Sequence, residues 1–130
     1  MLMLFVKIGM SLSGLAFLYG ISHRQKNLTH HRNAMALGYV LTILAAVVLV
    51  VGVYVIGATY SAPIWMVNLT GEDGAKMIHL IHRGISTLAF LFLTAQVIAG
   101  IIRHPIHKRL GPVAASFWGT SYVTGMIIFN

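Results

Sequence analysis

The sequence has no cysteine among its 130 residues, and only two acidic residues, Glu72 and Asp73, adjacent to each other. Without cysteine there is no disulfide, iron–sulfur cluster, thiolate-held haem or thiolate copper site, so a bound metal must rest on His, Met, Tyr or carboxylate. Two neighbouring acids in one segment supply no separated carboxylate pair, and no nucleophile–base arrangement stands out. Independent hydrolysis is therefore not expected, and an electron-transfer or accessory role fits better than that of a free-standing enzyme.

Charge of either sign is scarce. Charged residues make up 8% of the chain and hydrophobic residues 58%, whereas soluble domains carry about a quarter charged residues. That balance reads as an integral membrane protein. A span needs about 20 apolar residues to cross about 30 Å of hydrocarbon, and the apolar runs predict four, at 3–22, 34–57, 79–102 and 109–129. The expected fold is a single all-α domain over 1–130, with four transmembrane helices forming a bundle of two antiparallel hairpins. The first run is read as a helix and not as a signal peptide, because Lys7 follows the opening apolar residues and no small-x-small cleavage site precedes the basic segment.

The formal charge of +7 is concentrated in two connections: Arg24, Lys26 and Arg32 in the first, Arg103, Lys108 and Arg109 in the third. By the positive-inside rule both face the cytoplasm, which puts the termini and the second connection, with Glu72 and Asp73, outside. These cations are read as topology signals and contacts with anionic lipid, not as a nucleic-acid surface. The absence of a transit peptide favours a bacterial or archaeal plasma membrane. In the outer connection Pro63 and two glycines predict a break between helices, and Tyr60 and Trp65 suit the headgroup layer. Asn27 and Asn68 each begin an Asn-x-Thr triplet, read here as chance.

What the sequence does contain is histidine, seven in all. "GISHRQKNLTHHRNAMALG" and "GIIRHPIHKRLGPVAASFWG" both leave a helix through Gly-Ile and enter the next by His followed by a cation. This predicts two related hairpins with His31 and His107 in corresponding places. Two imidazoles on facing helices are what a bis-histidine haem b requires. The face of His31 continues through Met35, Gly38 and Thr42, and that of His107 through Gly111, Ala114, Ala115 and Trp118. Small residues there make room for a porphyrin or, like the series Gly111, Ala115, Gly119, bring helices close. His23 and His30 read as solvated, and His104 before Pro105 as a helix start.

His79 and His82, three apart, share one side of helix three and form a candidate second site for copper, or for a haem with a partner on another helix. Met1, Met3, Tyr54, Tyr60 and Met126 are the partners on offer. Gln96 lies further along the face of His82. It is expected to face the protein interior, bonding another helix, a propionate or a quinone carbonyl. Arg83 either reaches the headgroups or neutralises a haem propionate.

"HRNAM" opening helix two, the histidine near the start of helix three, "HKRL" before helix four and "WGTSYVTGMIIF" within it resemble the CtaM-type family of small four-helix membrane proteins. That resemblance implies a role in the maturation of haem-copper oxidases, with His31, His82 and His107 handling haem or metal. One departure is visible: the family's further histidine near the outer end of helix two is missing from "YVIGATY". The segment "HRGISTLAFLFLTAQVIAGIIRHPIHKRLG" is also similar to the ascorbate-reducible b-type transmembrane cytochromes, in which histidines at helix ends hold haem. The leading expectation is a haem b-binding membrane electron-transfer protein, a small subunit docked to other membrane subunits of a respiratory or photosynthetic complex. The alternatives are an oxidase assembly factor that handles haem or copper, and a cofactor-free accessory subunit.

Overall fold

The computed structural model describes residues 1–57 and 62–129; Tyr60, one of the proposed partners, lies outside them. Four helices follow one another: α1, Leu2–His23; α2, Leu28–Val50; α3, Ile64–Ile101; and α4, His107–Ile128. No strand occurs among the described residues. Three segments, Leu2–His23, Leu28–Val55 and Ile64–Ile101, are long and apolar enough to cross a membrane. α4 has comparable length but carries Ser116, Thr120, Ser121 and Thr124. Ser116, Thr120 and Thr124 donate to the carbonyls of Pro112, Ser116 and Thr120, one turn back. Such bonds satisfy the hydroxyls within the helix.

Three expected boundaries shift, the first at the start of α2, which begins at Leu28 and not at 34. α2 passes into a π-helical turn at Val51–Val55, closed by the Ile56 amide on the Val51 carbonyl at 3.0 Å. α3 begins well before position 79, because Pro63 starts a helix at Ile64 and only Gly71 departs from helical geometry, at φ 71° and ψ 173°. A positive φ is open to glycine at little cost, so within the polar stretch around Glu72 and Asp73 the chain leaves helical geometry at Gly71 alone, while Ala62 and Pro63 stand outside any helix just before α3. The helix resumes directly through Glu72 and Asp73.

Asn27 caps α2, its side-chain oxygen accepting from the His30 amide at 3.1 Å; this is the structural use of an Asn otherwise read only as a chance triplet. At the other end of the chain, the Ile106 amide donates to His104 Nδ1 at 3.2 Å, and the His107 amide to the His104 carbonyl. His104 thus serves the start of α4.

The chain forms two compact units, Met1–Thr59 and Tyr60–Asn130. In the first α1 packs on α2, and in the second α3 packs on α4. Large apolar side chains such as Leu4, Leu18, Val47, Leu91, Ile98 and Val123 point outward, while the buried positions include Ser13, Thr42, Gln96 and Ser121. Polar groups inside and hydrocarbon outside is the arrangement a lipid solvent selects, since an unpaired polar group in lipid is costly.

Candidate functional site

His31 stands in the first turn of α2, and its Nδ1 lies 2.8 Å from the Gly20 carbonyl of α1. His107 opens α4, and its Nδ1 lies 3.0 Å from the Gln96 carbonyl of α3. A carbonyl only accepts, so in both rings Nδ1 carries the hydrogen and the neutral imidazole has its lone pair on Nε2. This is how a metal-binding histidine is usually oriented, by a bond from its other nitrogen to a carbonyl.

The two contacts are in strict register, because the step from 31 to 107 equals the step from 20 to 96. The same step carries buried Ser13 to Ala89, Phe17 to Leu93, Gly38 to Ala114, Ala45 to Ser121 and Gly52 to Ile128, all buried as well. The repeat expected from the two Gly-Ile pairs is therefore aligned differently. Gln96, not Gly100, stands where Gly20 stands, and Gly100 lies one turn on, where an added Cβ would meet the His107 ring at 2.9 Å.

Gln96 is 5% exposed and turns its amide nitrogen towards His107 Nε2, at 3.4 Å. The NH2 group donates and the ring nitrogen accepts, consistent with the tautomer fixed by the Gln96 carbonyl. Gly111 makes room for this amide, since a Cβ there would stand 3.2 Å from its nitrogen. The Gln96 Oε1 is buried without a hydrogen-bond partner, a group that costs about 1–3 kcal/mol. Around His31 the space beside Gly38 is filled by the ring of Phe17, 2.6 Å from a notional Cβ. Gly38 therefore serves helix packing. The face of Gly119, by contrast, meets no neighbour within 4 Å.

His82 forms a separate polar chain. Its Nδ1 lies 2.9 Å from Thr124 Oγ1, which spends its own hydrogen on the Thr120 carbonyl and therefore accepts. Ser86 lies 3.3 Å from His82 Nε2 and 2.7 Å from Ser121 Oγ. His79 packs its ring on Phe129 at 5.1 Å, and His82 meets the same phenyl edge-on at 5.2 Å. The rings of His79 and His82 are thus gathered around Phe129. Among the described residues no group of three His, Asp or Glu is placed to hold a metal ion. Arg83 shares an open cleft with His79. Met126, one proposed partner, is 40% exposed on α4, and Tyr54 and Met1 are more exposed still.

Flanking the first connection, His23 at the end of α1 is half-buried and His30 in the first turn of α2 is exposed, and the two, read from sequence as solvated, are organised: Tyr19 stacks on His23 at 4.1 Å and its hydroxyl lies 3.0 Å from His30 Nδ1. The hydroxyl pairs Ser13–Thr42 and Ser86–Ser121 were not anticipated. Their signal was present, since polar side chains within apolar runs turn towards protein. Comparison with protein-family models, with characterised proteins and with solved structures gives no match to this chain.

Proposed function

We propose that the protein is a haem b-binding electron-transfer protein of the membrane, in which His31 and His107 would hold the haem iron. The observation that carries this reading is the matched pair of Nδ1-to-carbonyl bonds, which aim two Nε2 lone pairs from equivalent places in two helix pairs. On this reading α4 is a fourth span, the two pairs close into a four-helix bundle, and the basic connections face the cytoplasm. Haem b held by these two imidazoles would supply electron transfer. The chain's own part is to hold both rings in one tautomer. Gln96 must also turn its amide away from His107 Nε2 for that nitrogen to take a ligand. Arg83 on α3 is a candidate for neutralising a propionate, and His79 and His82 are the candidates for a second haem or for copper.

A dithionite-reduced minus oxidised spectrum of the purified full chain, with a pyridine haemochrome count, tests the proposal. The expected result is a sharp b-type α-band, lost in His31→Ala and in His107→Ala while helicity by circular dichroism is kept. A flat spectrum from protein made with ample haem overturns it. The cofactor-free accessory reading has its own support, since the imidazoles of His31, His82 and His107 already tie one helix to its neighbour. That reading predicts loss of helix packing, and no spectral change, in the same variants. Normal haem with a failed terminal oxidase in cells would point instead to an assembly factor.

A further inference from the structure

An open cleft of about 540 Å³ runs along the start of α3, just past the Gly71 break. Glu72, Lys76, His79 and Arg83 all line it. Their spacing of four, three and four residues puts them on one helix face, over about 16 Å of helix at 1.5 Å per residue. The remaining lining is apolar and includes Val67, Ala75 and Leu80. Met66, Ala75 and Ile128 form a small buried core beneath, with Phe129 packed against it. That phenyl also backs the His79 ring, so one wall is fixed by packing.

Charge along the stripe is ordered. The acid stands at the end nearest the break, and the guanidinium lies deepest in the helix that runs on into the apolar span. Lys76 is drawn aside by Asp73, at 3.2 Å in an exposed ion pair; such a pair contributes little and leaves the lysine able to exchange partners. Arg83 points back along its helix, since side chains lean towards the N-terminus. A ligand that matches this order has a phosphate below, an ammonium above and a hydrocarbon tail running down the apolar side.

We propose that this cleft binds the headgroup of an aminophospholipid: Arg83, His79 and Lys76 hold the phosphate and Glu72 holds the ammonium. The assignment leaves His31 and His107 untouched, and it takes Arg83 and His79 in place of their roles towards a propionate and a second haem or copper. Arginine suits the phosphate because its planar fork donates two parallel hydrogen bonds.

Native mass spectrometry of the full chain in mild detergent tests it, with dioleoyl phosphatidylethanolamine, dioleoyl phosphatidylglycerol and inorganic phosphate as probes. One phosphatidylethanolamine should be retained per chain, about ten-fold more tightly than phosphatidylglycerol, a difference of about 1.4 kcal/mol. Arg83→Gln should weaken both lipids by about ten-fold on the same scale, and Arg83→Lys by less. Glu72→Gln should abolish the preference and leave phosphatidylglycerol binding in place. Equal binding of the two lipids by the unaltered chain overturns the proposal, as does retention unchanged by Arg83→Gln. Displacement of the lipid by inorganic phosphate would assign the cleft to free phosphate instead. Should Arg83→Gln lose its helicity, the Glu72→Gln preference decides alone.

Discussion

In the first helix pair the buried hydroxyl contacts are compressed into one cluster: Ser13, wholly buried, bonds the Gly38 carbonyl and the Thr42 hydroxyl, both at 2.7 Å. In the second pair they are strung along the interface, from His82 and Thr124 through Ser86 and Ser121 to Gln96 and His107. Yet both pairs close at the same point, by an imidazole on a carbonyl eleven residues back. A carbonyl is offered by every residue, so this contact persists whether position 20 or its counterpart 96 is Gly or Gln. The side chains around it are then free to differ, and it is there that the two imidazoles diverge. His107 faces an amide, whereas the equivalent position beside His31 is a glycine with no side chain to offer.

The largest effect should come from removing the shape difference between the pairs. Gly38→Ala drives a methyl into the Phe17 ring and should cost about 1–3 kcal/mol, as overpacking does. The equivalent positions in the second pair are Leu93 and Ala114, so Phe17→Leu added to Gly38→Ala should restore most of the loss. Thermal unfolding in detergent measures both steps, and failure of the double variant to recover would mean that the two pairs do not share a packing register. Next comes the polar difference. Ser13→Ala should cost up to about 1.7 kcal/mol and Ser86→Ala about 0.6 kcal/mol, the upper and mean values for hydrogen bonds between membrane helices. Ser13 is wholly buried and bonds two groups of the neighbouring helix, whereas Ser86 is only partly buried and spends one of its bonds on its own helix. Hydrogen exchange resolved by helix should place the first loss in α1 and α2 and the second in α3 and α4.

The helices were legible because apolar runs of span length admit few alternatives, and α1 and α4 end within about two residues of the expected bounds, whereas α2 runs back through the basic residues to Leu28 under the Asn27 cap. Gln96 was legible as an inward-facing residue for the same reason: its amide is incompatible with lipid. The extension of α3 back to Ile64 was not. Gly71 and Gly74 look alike as turn signals, but only Gly71 has a positive φ, and there two helical segments meet at a kink. The register of the histidine contacts was hidden more deeply. It runs through the main-chain carbonyls of Gly20 and Gln96, and a main-chain acceptor leaves no mark on residue type. The Gly-Ile pairs drew the alignment one turn too far.

The smallest effect expected separates the two connections by sign. Arg103 lies at φ 54°, beyond the end of α3, where the His104 amide reaches back to the Ala99 carbonyl at 2.8 Å. This is the closure in which glycine is favoured, since a Cβ in the left-handed region costs about 1–2 kcal/mol. Arg103→Gly should therefore stabilise the second pair, by about 0.5 kcal/mol once the greater freedom of glycine in the unfolded chain is subtracted. Arg24, beyond the end of α1, has helical geometry at φ −57° and ψ −30°. There the same change removes no strain and should destabilise by about 0.5–1 kcal/mol. Unfolding midpoints that move in opposite directions for Arg103→Gly and Arg24→Gly would show that the two connections close their helices by different backbone geometry. Shifts of the same sign would mean that loss of a cation, common to both variants, outweighs backbone strain at Arg103.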